Sequence, residues 1–267
     1  MTGKVFLTGA SAGIGLSTTR QLLKQGFEVW GTSRDIERLP KMPNFHPVMM
    51  DLGKSESVSQ AWREALQQAG SFEVVINNAG AGHFGAAEKM DPTIWREQME
   101  VLFHAPLQLT QLALEEMLQK DSGTIIQITS LAVRLPIPFM APYNAAKAAF
   151  SAATQTLQLE LKSSRVRLIE LQPGDISTPF HQAMECHAID PKENNSLQRA
   201  YQVIDHNMQH APSPECVAKA IVKILKTPSV RGRVTIGDFF QTRIAPLGLR
   251  LFPSSWMQHL LHRYYKL

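Results

Sequence analysis

Thr8-Gly9-Ala10-Ser11-Ala12-Gly13-Ile14-Gly15 is the stretch that decides how the chain is read. An apolar run at 5–8 enters it, and an amphipathic stretch over 14–25, stopped by Gly26, leaves it. Strand, glycine-rich turn and helix form the first unit of an alternating series. Further short β-branched runs stand at 27–32, 45–50, 74–77, 124–129, 166–171 and 234–236. Between them lie helical stretches at 57–68, from Asp91 to about 120, at 145–162 and at 214–226. Asp91-Pro92 makes a helix start, with an N-cap residue followed by proline at the first helical position. Strands separated by helices must pair in parallel, because each crossover needs a connection of that length. The expected fold is therefore α/β, a doubly wound parallel sheet of about seven strands with helices on both faces. One domain is expected over 1–242, with a polar insertion at 176–212, followed by an amphipathic tail at 243–267.

Composition narrows the function. The 267 residues are 44% hydrophobic and 19% charged, ordinary values for a folded chain with a large core. A net charge of +4, with no long basic run, gives no sign of a nucleic-acid partner. Two cysteines, Cys186 and Cys216, build neither a disulfide framework nor a CxxC site, and a reduced, cytoplasmic setting is expected. The opening MTGKVFLTGA lacks the apolar core of a signal peptide, and no 18-residue apolar run predicts a membrane span. His206 and His210 have helical i,i+4 spacing but no surrounding HExxH pattern, so a solvated polar face is expected and no metal site.

The glycine turn carries the first chemistry. Gly9, Gly13 and Gly15 let the backbone approach a pyrophosphate, and the helix N-terminus beyond them offers free N–H groups and the positive end of its dipole. A dinucleotide is the expected ligand. At the end of the second strand, an acid would bind both ribose hydroxyls and repel a 2′-phosphate. Gly31-Thr32-Ser33-Arg34 stands there instead, with Asp35 one position late. Arg34 can bind a phosphate through charge-assisted hydrogen bonds, so NADP(H) is expected over NAD(H), the alternative.

The TGxxxGxG spacing resembles that of the short-chain dehydrogenase/reductase family, in its single-domain Rossmann-type branch. Asn77-Asn78-Ala79-Gly80 is similar to its NNAG motif, Tyr143-Asn144-Ala145-Ala146-Lys147 to its YxxxK motif, and Ser130 and Pro173-Gly174 stand in the family's order. The resemblance spans roughly residues 3–240. It implies an oxidoreductase that moves a hydride between a nicotinamide and a carbonyl or alcohol. Tyr143 would give its proton to the alkoxide, Lys147 would lower the tyrosine pKa and hold the ribose hydroxyls, and Ser130 would orient the carbonyl. Tyr143 and Lys147 are one helical turn apart and can share a face. The implied cofactor residues are Gly9, Ser11, Gly13, Ile14, Gly15, Ser33, Arg34, Asp51, Leu52, Asn78, Ala79, Gly80, Tyr143, Lys147, Pro173, Gly174, Ile176 and Thr178. One departure is Leu102, where the family usually has an asparagine; the family's proton relay uses a water held largely by backbone there. His104 lies two positions on, facing elsewhere on a regular helix. A non-catalytic dinucleotide-binding regulator on the same fold is the rival reading.

The loops beyond the strand ends are apolar at 135–140 and 180–184, which favours a lipophilic substrate: a steroid, a retinoid or a long-chain aldehyde or ketone. A homodimer or homotetramer is expected through the helices from Asp91 and Ala145, with Leu107, Leu114 and Ala149 as contact positions. In the tail, Trp256, Met257, Leu260, Leu261, Tyr264 and Tyr265 form an apolar stripe beside polar and basic Gln258, His259, His262, Arg263 and Lys266. That stripe either packs on this protein or its dimer mate, over the substrate pocket, or lies on an anionic membrane as a peripheral contact.

Overall fold

The alternation of apolar side chains along each strand sets the layers. Val5 and Leu7 point to one side of the first strand and Phe6 to the other, as the two-residue repeat of a strand requires. The computed structural model describes residues 3–187, 195–238, 242 and 253–267. In chain order its elements are β1 (Lys4–Leu7), α1 (Gly13–Lys24), β2 (Glu28–Ser33), β3 (Phe45–Met49), α2 (Ser55–Ala69), β4 (Val74–Asn77), β5 (His83–Phe84), α3 (Pro92–Met99) and α4 (Ala105–Gln119). There follow β6 (Thr124–Ile128), α5 (Ala141–Glu160), β7 (Arg167–Pro173), β8 (Glu185–Cys186), α6 (Ser196–His210), α7 (Glu215–Lys226), β9 (Gly232–Ile236) and α8 (Ser254–Tyr264).

Seven strands form one sheet in the order β3-β2-β1-β4-β6-β7-β9, all parallel, and β5 pairs with β8 in a separate two-stranded sheet. The order reverses between β1 and β4. Connections leave these two strands in opposite directions and open a crevice at their carboxyl ends, where ligands of such sheets bind. The first turn and the Asn77-Asn78-Ala79-Gly80 loop meet at that crevice.

One face carries α2 and α4 over Phe6, Trp30, Val75 and Ile125; the other carries α1 and α7 over Val5, Leu7, Ile76 and Ile169. Phe6 is fully buried and meets Trp62 and Phe72 edge-on, at 5.3 and 5.4 Å between ring centres. Truncating such a residue to alanine costs about 3–5 kcal/mol. A third apolar cluster lies apart, built from Phe84, Met140, Met184, Leu197, Ala200, Ile204 and Tyr265.

The helices depart from expectation in three places. Asp91 caps Thr93 N–H at 2.8 Å as its sequence predicts, but the long helix is interrupted at Glu100–His104 by a wide π turn. The helix expected from Ala145 begins at Ala141, with Pro142 in its first turn, so Tyr143 is helical. Within the polar insertion, Leu197, Ala200 and Ile204 are the buried side of α6, a helix the sequence reading passed over as polar. Leu114, expected at a subunit contact, is 9% exposed and belongs to the core.

Candidate active site

The first turn is built on glycine for steric reasons. Gly9 and Gly13 have φ of +72° and +51°, and a Cβ on Gly15 would sit 1.9 Å from the Gly9 carbonyl oxygen. Thr8 ties the turn to β4: its Oγ1 accepts from Asn78 N–H at 2.9 Å and Ala79 N–H at 3.0 Å, and Asn78 Nδ2 donates back to the Thr8 carbonyl at 2.9 Å. Ala12 gives α1 no side-chain cap, and the first turn of the helix holds no acid. Its first N–H groups therefore face the crevice without an anionic competitor, a donor set that fits a pyrophosphate. Thr178 lies beside Gly13, whose Cβ would come 3.2 Å from that of Thr178.

At the far end, Ser33 closes β2 and its Oγ accepts from Asp35 N–H at 3.2 Å. Asp35 is engaged in capping the short turn that follows, accepting from Glu37 N–H at 3.0 Å. Arg34 is exposed and, among the described residues, has no hydrogen-bond or ion-pair partner. Asp51 accepts from Gly53 N–H at 3.0 Å and carries Lys54 at 3.8 Å, while Leu52 is buried beside it. Pro173 ends β7, Gly174 N–H donates to the Ile236 carbonyl at 2.7 Å, and Ile176 packs in the core below.

Ser130, just beyond β6, and Tyr143, in the first turn of α5, come close enough for the serine hydroxyl to act on the tyrosine hydroxyl. Ser130 also caps the turn after it, accepting from Ala132 N–H at 3.1 Å. Burial pushes the Tyr143 hydroxyl up, the Ser130 hydrogen bond pulls it down, and the nearby Asp175 carboxylate adds to the rise, which wins overall. Lys147 is one turn further on, 5% exposed, with its ammonium donating to the Ile128 carbonyl at 2.8 Å. Burial lowers its pKa to about 8. The net rise at Tyr143 comes from desolvation outweighing the opposing effect of the Ser130 hydroxyl.

Behind these residues lies a brace that sequence reasoning missed. Glu170 of β7 is fully buried; Oε1 accepts from Thr129 at 3.0 Å, Ser151 at 2.5 Å and Gln172 at 2.8 Å, and Oε2 pairs with Arg233 at 3.0 Å. Thr129 adjoins Ser130 and Ser151 follows Lys147 by one turn, so the carboxylate joins the two elements that carry the site. The signal in sequence was faint: one glutamate inside an apolar strand.

The Phe180 ring is 5.8 Å from that of Tyr143, and Ile137, Phe139 and Met140 join the same cluster. His181 Nε2 pairs with Asp205 at 3.1 Å, fastening this loop to α6. Leu102 is buried, with a methyl 3.6 Å from where a Gly80 Cβ would be, whereas His104 is exposed. The tail packs on α6: Leu261 and Tyr265 join the third cluster, Met257 is buried, and Arg199 Nε donates to the Lys266 carbonyl at 2.7 Å. Trp256, Leu260 and Tyr264 face outward, at 64, 52 and 48% exposure. Among the described residues no helix is long and apolar enough to cross a membrane.

Fold and site define a dinucleotide-type oxidoreductase, and comparison with known proteins agrees. Residues 4–188 match the model of the short chain dehydrogenase family, and the chain belongs to that family. It is 29% identical over 265 residues to a 3-ketodihydrosphingosine reductase of Bacteroides thetaiotaomicron, covering 98% of this chain and 97% of the relative. An uncharacterized oxidoreductase of Escherichia coli is 33% identical over 189 residues, 67% of this chain and 70% of that one. Among solved structures, a short-chain dehydrogenase from Streptomyces avermitilis superposes with a TM-score of 0.81 at 23% identity, over 99% of this chain and 96% of that one. A short chain dehydrogenase from Burkholderia cenocepacia in complex with NADP gives 0.75 at 26% identity, over 99% and 97%.

Proposed function

We propose that the protein is an NADP(H)-dependent carbonyl reductase or alcohol dehydrogenase acting on a lipophilic substrate. The observation that carries this reading is the approach of Ser130 to Tyr143 with Lys147 one turn behind it, beside an apolar cluster. A bound nicotinamide dinucleotide supplies the hydride in reduction and receives it in oxidation. Gly9, Ser11, Gly13, Ile14 and Gly15 would hold its pyrophosphate, with Thr178 alongside. Asn78, Ala79, Gly80, Pro173, Gly174 and Ile176 would line its nicotinamide half, Asp51 and Leu52 its adenine, and Ser33 and Arg34 its 2′-phosphate. The engagement of Asp35 as a cap and the unpartnered Arg34 support the phosphate over the bare ribose.

Tyr143 Oη gives a proton to the substrate oxygen as the carbonyl is reduced, and takes it back in the reverse direction. Ser130 Oγ orients that oxygen. Lys147 Nζ holds the ribose hydroxyls and supports proton return to Tyr143. A tyrosine kept protonated by burial is suited to donation, which supports the reductive direction. The wide turn at Glu100–His104 supports a relay through backbone groups in place of the missing asparagine, since such turns gather at functional sites.

The substrate is bulky and apolar by this reading, because Phe139, Met140, Phe180 and Met184 leave few polar partners. The long-chain keto-lipid named for the Bacteroides relative is of the same class. The outward row Trp256, Leu260, Tyr264 beside basic Arg263 and Lys266 supports a peripheral contact with an anionic bilayer, where such a substrate resides. Exposed Ala148, Ala152 and Leu159 on α5, with Leu118 on α4, support a homodimer or homotetramer through these helices. Oxidation of NADPH with a panel of ketones and aldehydes tests the reading. Tyr143→Phe should lower turnover by about 10²- to 10⁴-fold with cofactor binding retained. A fully active variant would sink the mechanism.

A further inference from the structure

β5 and β8 bring together three side chains that the dehydrogenase chemistry does not use. The two strands pair with His83 opposite Glu185, and the ladder is closed by Glu185 N–H to the Gly82 carbonyl at 3.1 Å and His187 N–H to the Phe84 carbonyl at 2.8 Å. Glu185 and His187 are two residues apart in an extended segment, so both point to the side on which His83 stands. His83 Nδ1 is 3.0 Å from His187 Nε2 and 3.7 Å from Glu185 Oε2, and all three ligand atoms lie within 4.8 Å of one another. His83 is 7% exposed, and the two imidazoles stack at 17°. His187 approaches so closely that a Cβ on Gly85 would be 3.0 Å from its own Cβ, an approach that glycine permits.

Three lone-pair donors come within 4.8 Å of one another on a paired backbone frame. In a tetrahedral ion with bonds of about 2.0–2.1 Å, ligand atoms are roughly 3.4 Å apart. Two of the three separations, 3.0 and 3.7 Å, bracket that value, and the third lies within 4.8 Å. Two imidazoles and one carboxylate are a donor set of zinc type, with a fourth position open to water.

We propose that His83, Glu185 and His187 form a zinc-type divalent metal site that staples the substrate-side stretch 180–187 to the strand following the Asn77-Asn78-Ala79-Gly80 turn. The ion orders the segment that carries Phe180 and Met184 against Phe84, and it takes no part in hydride or proton transfer. Sequence could not show it, because His83 and His187 are distant in the chain and no metal-ligand spacing joins them.

The test uses the full tag-free chain, stripped with a chelator, in a background carrying His206→Gln and His210→Gln to remove the other histidine pair. Titration calorimetry with Zn²⁺ should give one equivalent, and Co²⁺ should give the intense visible absorption of a tetrahedral ion. Glu185→Gln, whose side chain is 72% exposed, should keep the fold. It should weaken Zn²⁺ by more than the ~10- to 100-fold that loss of an outer partner typically costs. His187→Gln should do the same, with folding checked by circular dichroism. Absence of stoichiometric uptake, or uptake unchanged in Glu185→Gln, overturns the proposal and leaves a hydrogen-bonded cluster.

Discussion

Lys147→Met separates what the lysine does for chemistry from what it costs the fold. Lys147 is 5% exposed, and burial brings its pKa from 10.5 to about 8. At about 1.36 kcal/mol for each tenfold change in proton affinity, holding that charge inside costs roughly 3 kcal/mol at neutral pH. Methionine has a similar shape and no charge. It forfeits the hydrogen bond to the Ile128 carbonyl, about 1 kcal/mol, so the variant should be about 1–2 kcal/mol more stable at pH 7 while losing activity. The pH dependence gives the sharper test. Between the folded and unfolded pKa values, the unfolded chain binds more protons than the folded one, so this group makes stability rise with pH. From pH 7 to 9.5 the wild-type protein should gain roughly 2 kcal/mol from Lys147 that the variant does not. In thermal melts followed by circular dichroism, that is about 4–8 °C in the difference between the two proteins. Groups common to both cancel in the comparison. A difference independent of pH, or a variant less stable throughout, would refute a desolvated charge at this position.

Arg34→Glu should weaken NADPH far more than NADH in fluorescence titrations, since it replaces an attractive charge with a repulsive one; equal losses would remove Arg34 from the 2′-phosphate. Arg233→Met strips the buried Glu170 carboxylate of its ion-pair partner and should cost about 3 kcal/mol, the lower end for such pairs because Arg134 also faces Glu170. Adding Glu170→Gln should recover most of that loss in a denaturant titration, and failure to recover would show that the charge is not the cause. Trp256→Ala with Leu260→Ala, both at exposed positions, should abolish sedimentation with anionic vesicles and leave the melting temperature unchanged. Vesicle binding that persists would place the contact elsewhere.

The glycine turn was legible because its requirement is local. Positive φ at Gly9 and Gly13 and the 1.9 Å approach at Gly15 exclude side chains whatever surrounds them. Strand and helix alternation was legible for the same reason, since residue period is a property of one element at a time. Ser130, Tyr143 and Lys147 were legible through resemblance and one helical turn of spacing, and the structure brings the first two close together. The start of α5 was placed four residues late because Pro142 reads as a break and is tolerated in a first turn.

What sequence alone determined is therefore the sheet, the order of its strands' appearance and the residue types at the mouth of the crevice. Tertiary structure decided everything that depends on two distant segments sharing one space. It turned the mixed tail stripe into an inward row of Met257, Leu261 and Tyr265 and an outward row of Trp256, Leu260 and Tyr264, because α6 offers only one apolar side. It drew Glu170 to Arg233, and His83 to Glu185 and His187. It also set the protonation of Tyr143, since desolvation is a property of the surrounding volume and is not written in the spacing of residues along a chain.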